Sequence, residues 1–246
     1  MLPHRQPPTP LWWSLCQADG AELLVKVLMI APPGAGKGTQ GVLIAEHFGI
    51  PHIASGDLLR EHVAQGTELG RSVQAYVDRG ALVPDEVVLE MVRDALVENG
   101  RDGYVLDGLP RTMAQARALY ELAVELDLTA DVALHLQVTD SELVRRLLAR
   151  AQEQGRSDDT EDVIAHRIAL YYEVTAPILT WYAERGILVT VDAMRPADAV
   201  GRQILTALEV MKQIREGNPD LARTPIDLTS LGAAFGAGQA SSAGGA

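Results

Sequence analysis

The feature that most constrains this chain is a short apolar run followed at once by a glycine-rich turn. Leu23 to Ile30 reads LLVKVLMI, and Ala31 to Gln40 reads APPGAGKGTQ. The run has the length and composition of a buried strand. Gly34, Gly36 and Gly38 let the backbone turn tightly and bring its N–H groups close to an anion. A helical pattern starts at about residue 37, so the positive end of a helix faces the same anion. Lys37 adds a flexible point charge for outer phosphates. Ala35 and Thr39 complete the turn. Strand, turn and helix together read as a P-loop. The pattern G-x-x-x-x-G-K followed by Ser or Thr is broken twice. Ala31 takes the place of the first glycine, and Gly38 separates Lys37 from Thr39.

The rest of the chain alternates in the same way. Tyr104–Leu106, Val132–Val138 and Ile187–Val191 are further apolar runs, and His52 with Ile53 makes a short fifth. Helical patterns cover about 37–48, 57–65, 68–79, 85–98, 112–126, 140–151, 159–184 and 196–215. Strands separated by helices predict an α/β fold, a five-stranded parallel sheet covered on both faces in three layers. Residues 55–84 hold helices and no strand, which predicts an inserted helical subdomain. Pro3, Pro7, Pro8 and Pro10 predict an unstructured extension over 1–22, with Trp12 and Trp13 beside it. The last fifteen residues, GAAFGAGQASSAGGA, offer almost nothing to bury, and 216–246 is read as an unstructured tail. The expected folded body is 23–215.

Charge and cysteine content narrow the partners. There are 33 acidic residues against 21 Lys and Arg, a formal net charge of −12. Such a surface disfavours polynucleotides and anionic membranes, yet a small phosphate ligand needs only a local cluster of cations. The single cysteine, Cys16, excludes an internal disulfide and a multi-cysteine metal site. No stretch approaches the ~20 apolar residues that span a bilayer. A reduced, cytoplasmic protein is expected.

Three further segments carry a family resemblance. IASGDLLR (53–60), LDGLPRTMAQA (106–116) and GRSDDTEDVIAHR (155–167), added to PPGAGKGTQ, resemble the adenylate kinase family of nucleoside monophosphate kinases. The resemblance covers roughly 190 residues in the family's order. It implies reversible phosphoryl transfer from Mg-ATP to AMP, giving two ADP, by a monomer. It implies that Gly34 to Thr39 cradle the ATP phosphates. Arg60 and Arg111 clamp the acceptor phosphate, and Asp107 orients waters on Mg²⁺. Gln115 reads the AMP base, because a primary amide offers the donor and acceptor that adenine complements. Ser55, Gly108 and the backbone at Leu82 and Val83 complete the AMP pocket. On the ATP side, Arg146 covers the adenine, Arg150 touches phosphates and Arg195 lines the site. Arg156 and Arg167 serve the phosphates of both nucleotides, and Asp158 and Asp159 hold the lid's charge network. Lys37, Arg111, Arg150, Arg156 and Arg167 form the catalytic set.

Only Ala151 to Gly155 separate Arg150 from Arg156, so a short lid over 151–160 and no structural zinc are expected. Leu109 departs from the aromatic residue common beside the acceptor base. Arg145 shares the basic character of its helix, which leaves a merely solvated face as an alternative there. Leu109 keeps open an acceptor such as UMP or CMP. Ala31, with the two unusual termini, keeps open a nucleotide-binding module without catalysis.

Overall fold

A computed structural model of the chain describes residues 25–154, 160–217 and 226–227. The first half alternates β1 (Lys26–Ile30), α1 (Lys37–Phe48), β2 (His52–Ala54), α2 (Ser55–Ala64), α3 (Glu68–Asp78), α4 (Asp85–Asn99), β3 (Tyr104–Asp107) and α5 (Met113–Glu125). The second half runs β4 (Val132–Gln137), α6 (Asp140–Gln154), α7 (Glu161–Leu170), α8 (Pro177–Glu184), β5 (Leu188–Asp192), α9 (Ala197–Gly217) and β6 (Ile226–Asp227). The strands form one parallel sheet in the order β2-β3-β1-β4-β5-β6.

All five expected strands are present, and a sixth of two residues extends the sheet at its edge. Ile226–Asp227 lies within the tail read as unstructured, and it pairs with Val189 and Thr190 of β5. Two residues are too few to give a periodic signal in sequence, but they cover the edge that β5 otherwise presents.

Strand alternation builds two cores. Val27 and Met29 face Ile44, Leu143, Leu147, Val200 and Ile204 on one side. Leu28 and Ile30 face Val92, Leu96, Leu119, Ile178 and Tyr182 on the other. Successive side chains point to opposite faces, so a run apolar throughout is what a doubly covered strand requires. Each fully buried leucine or isoleucine contributes about 1.5–3 kcal/mol relative to exposure.

The helix expected over 159–184 is broken. Tyr171–Thr175 forms a π-helical turn between α7 and α8. Pro177 stands at the start of α8 and has no N–H to donate. The Ala176 N–H instead reaches the carbonyl of Tyr171 at 2.8 Å. The turn lets one segment serve both cores, with Ile164 and Ile168 in the first and Ile178 and Tyr182 in the second.

α2 and α3 follow β2 with no strand between them. Thr67 caps α3 by accepting the Gly70 N–H at 3.0 Å. A Cβ on Gly70 would lie 2.0 Å from the His62 carbonyl oxygen, so the two helices meet backbone to backbone there.

Candidate active site

β1 lies between β3 and β4, where the chain's winding reverses direction. Ligands of open parallel sheets bind beyond the strands' carboxyl ends at such a point. The glycine-rich turn leaves β1 there. Gly36 caps α1 in the left-handed region at φ 95° and offers no side-chain cap to the first-turn N–H groups. Those groups face the loop as anion donors. Gly34 has φ 81°, and a Cβ on it would lie 2.8 Å from Leu147 Cγ. α6 therefore closes against the back of the turn. Lys37 Nζ donates to the carbonyls of Ala31 at 2.8 Å and Pro32 at 3.1 Å. Burial pushes the Lys37 ammonium down to about 8, with Arg111, Arg167 and Arg150 adding to the effect and Asp107 opposing it.

Among the described residues the only non-glycine with positive φ is Asp127. Ala31 thus needs no glycine-like backbone, and its methyl is buried in the first core.

β3 delivers Asp107, and the following loop delivers Gly108 and Arg111. Gly108 has φ 88°, and a Cβ on it would sit 2.5 Å from Ser55 Oγ and 3.1 Å from Arg111 Nη2. Only glycine lets β3 and α2 approach so closely. Leu109 precedes Pro110 through a cis peptide. Its side chain is wholly buried in the second core, not in the acceptor pocket. The expectation that Leu109 sits beside an acceptor base is therefore corrected. A leucine serves the core at this position, and the pocket is walled by other residues.

Arg111 is held from every side. Its Nε donates to the Gly108 carbonyl at 2.7 Å. Its N–H donates to Gln115 Oε1 at 2.7 Å. Its carbonyl accepts from Thr175 Oγ1, in the π-turn, at 2.9 Å. Burial and the nearby Arg167 and Arg60 cations lower its pKa, and Asp107 offsets them in part. Gln115 Nε2 donates to Asp85 Oδ1 at 2.7 Å, and Thr112 Oγ1 donates to Asp85 Oδ2 at 3.1 Å. Arg60 pairs with Asp57, and its guanidinium lies over Gly56.

On the far wall Arg146 donates to Glu142 at 2.7 Å and to the Ala193 carbonyl at 2.8 Å. Arg145 donates to the same carboxylate. Hydrogen bonds from Arg145 and Arg146 hold Glu142 down at about 2. Arg195 stands 4.0 Å from Asp192.

These residues enclose a cleft of about 770 Å³. Gly34 to Thr39, Arg60, Asp107, Arg111, Arg146, Arg150, Arg167 and Arg195 all line it. Eight cationic side chains and three carboxylates face it, on a chain of net charge −12. A second pocket opens beside it, lined by Ser55, Arg60, Leu82, Val83, Gly108, Arg111, Gln115 and Arg167. The two share Gly56, Arg60, Gly108, Arg111 and Arg167 as a common wall. Arg167 on α7 also leans on the turn after α3. A Cβ on Gly80 would lie 2.8 Å from Arg167 Cδ. Arg156, Asp158 and Asp159 lie outside the described residues.

Asp107 is one carboxylate beside a phosphate cradle, which suits Mg²⁺ held mainly by substrate oxygens and water. Among the described residues no cluster of three His, Cys, Asp or Glu side chains could hold a metal alone. Nor is any of their helices long and apolar enough to cross a membrane.

Some participants were not legible beforehand. Asp85 and Thr175 act on Gln115 and Arg111 across 30 and 64 positions of sequence. An acid at a helix start and a threonine before a helical proline are ordinary sequence events, so neither carries a signal of its own.

The sheet order, the anion cradle and the two joined pockets define a P-loop nucleotide-binding protein. Comparison with known proteins makes the class specific. The family model described as adenylate kinase matches residues 29–187. An adenylate kinase of Thermobifida fusca is 47% identical over 186 residues, covering 75% of this chain and 98% of that protein. One of Kocuria rhizophila is 50% identical over 187 residues, covering 76% of this chain and all of its own length. One of Leptospira biflexa is 43% identical over 184 residues, covering 74% and 99%. The chain belongs to the adenylate kinase family.

Proposed function

We propose that the chain catalyses reversible phosphoryl transfer from Mg-ATP to AMP, giving two ADP. One observation carries the reading: the phosphate cleft and the neighbouring pocket share a wall containing Arg60, Arg111 and Arg167. A wall common to two nucleotide sites is where a phosphoryl group passes between them.

The chemistry asks little of acids or bases. The nucleophile is a phosphate oxygen of AMP, already anionic at neutral pH. The obstacle is bringing two polyanions together, and positioned positive charge removes it. Lys37 and the helix N-terminus hold the donor's outer phosphates. Arg60 and Arg111 hold the acceptor phosphate. Arg150 and Arg167 lie along the path between them, and Arg146 and Arg195 flank the donor base. Burial first, and then repulsion from neighbouring arginines, lowers the pKa of Lys37 and of Arg111. Anionic substrates relieve that repulsion, so the site favours charge where charge is greatest. Asp107 would hold Mg²⁺ through water, and the ion would supply further neutralisation of the ATP phosphates.

The second pocket suits AMP. Ser55 Oγ is buried with no partner and lines the pocket, so a hydroxyl is left for a ligand. Gln115 faces the same space, with Leu82 and Val83 along its edge. Leu109, the reason for considering UMP or CMP, does not reach it. The family resemblance also assigns residues 55–84 as the monophosphate-binding insert and 151–160 as a short lid with Arg156, Asp158 and Asp159. A monomer working in the cytoplasm fits these assignments. Offering AMP, CMP, UMP, GMP and dAMP separately in a coupled assay tests the reading. Failure of folded protein to phosphorylate AMP would overturn it.

A further inference from the structure

The Gln115 amide has a fixed orientation. Its oxygen accepts the Arg111 backbone N–H at 2.7 Å. Its nitrogen donates to Asp85 Oδ1 at 2.7 Å. A backbone N–H can only donate, and an ionised carboxylate can only accept. Turning the amide over would set oxygen against oxygen at Asp85 and N–H against N–H at Arg111. Thr112 fixes the carboxylate in turn, donating to Asp85 Oδ2 at 3.1 Å while its hydroxyl accepts the Gln115 N–H at 3.0 Å. The residue is buried, with 2% exposure, so water offers no substitute partners.

After these contacts the amide keeps one N–H and one oxygen lone pair. Their relative positions are set by the lock. A 6-amino purine presents a donor at position 6 and an acceptor at ring position 1. A 6-oxo purine presents the reverse. A freely turning glutamine could serve either base equally well, by exchanging its oxygen and nitrogen. A locked one serves only one pattern.

The geometry points to Asp85 as the specificity-determining positioning residue of the acceptor pocket: its carboxylate fixes the Gln115 amide so that a 6-amino purine monophosphate is accepted and a 6-oxo purine monophosphate refused. Asp85 does not touch the base; it acts through Gln115. The inference rests on the reading of Gln115 as the group that reads the base.

The test compares AMP with inosine monophosphate, which differ only in this edge of the ring. Rate constants kcat/KM for both acceptors are measured for the full chain and for Asp85→Asn and Gln115→Ala. Asparagine keeps the shape at the start of α4 and can both donate and accept. In Asp85→Asn the AMP-to-inosine preference falls roughly tenfold or more through the acceptor KM, while the KM for ATP stays within about twofold. Loss of packing alone would lower both acceptors together and leave their ratio unmoved. If Gln115→Ala keeps the wild-type preference, glutamine does not read the base and the underlying reading fails. If Gln115→Ala loses the preference and Asp85→Asn keeps it, the reading stands and the lock is overturned.

Discussion

Lys37 Nζ lies 2.8 Å from the carbonyl oxygen of Ala31, the residue that replaces the first glycine of the P-loop pattern. The contact uses the backbone, so the residue type at 31 does not matter to it. What the methyl does is fill the first core.

Ala31→Gly should therefore lower stability by about 1 kcal/mol, from lost packing and a looser unfolded chain. Turnover should not rise. Thermal melting and steady-state assay check this, and a several-fold gain in kcat would mean that alanine does strain the loop.

The depressed Lys37 makes nucleotide binding depend on pH. Below about pH 8 the ammonium is charged before ATP arrives, and affinity is flat. Above that value binding must take up a proton, so log affinity falls by up to about one per pH unit. Calorimetry in two buffers of different ionisation heat, at about pH 9, should show proton uptake that vanishes in Lys37→Met. The same group affects folding with the opposite sign. Its folded pKa lies below the ordinary 10.5, so its contribution to stability rises as pH climbs from about 8 to 10.5.

Arg111→Ala should cut turnover by ~10³-fold or more, the scale of an arginine at a transferring phosphoryl group. Its burial beside Arg167 and Arg60 is unfavourable in the absence of substrate. Removing it should leave the melting temperature nearly unchanged. It should also move the Lys37 limb to higher pH, because Arg111 is one of the cations that depress it. A large drop in stability with unchanged turnover would refute the catalytic assignment.

Gly70→Ala addresses α2 and α3. The new methyl would meet the His62 carbonyl oxygen at 2.0 Å, and backbone cannot yield as a flexible side chain can. A destabilisation of about 1–3 kcal/mol is expected, confined to these helices. The KM for AMP should rise about tenfold with the KM for ATP nearly constant, since of the two pockets the acceptor pocket alone takes a residue, Val77, from α3. Equal effects on both substrates would remove the link between this pair of helices and acceptor binding.

The strands were legible because a doubly covered parallel sheet writes unbroken apolar runs such as Val132–Leu134 into the sequence. The phosphate cradle was legible because its glycines are local in sequence. Arg60, Arg111, Arg146, Arg150 and Arg167 were legible through resemblance, and the described cleft gathers all of them. What was hidden depends on distance along the chain. The π-turn arises from the competition of two cores for one helix, visible locally only as Pro177. Asp85 and Thr175 gain their importance from partners that folding brings near. Leu109 was misplaced because its neighbours line the site while its own side chain turns into the core.

Arg167 sits in the wall of both pockets and rests on Gly80, beyond α3. Its position when one nucleotide is bound is the position the other must accept. On the proposed assignment the two substrates are linked through one guanidinium. By reciprocity, any factor by which ATP changes the affinity for AMP is the factor by which AMP changes the affinity for ATP. On that assignment neither substrate can be tuned alone at this residue.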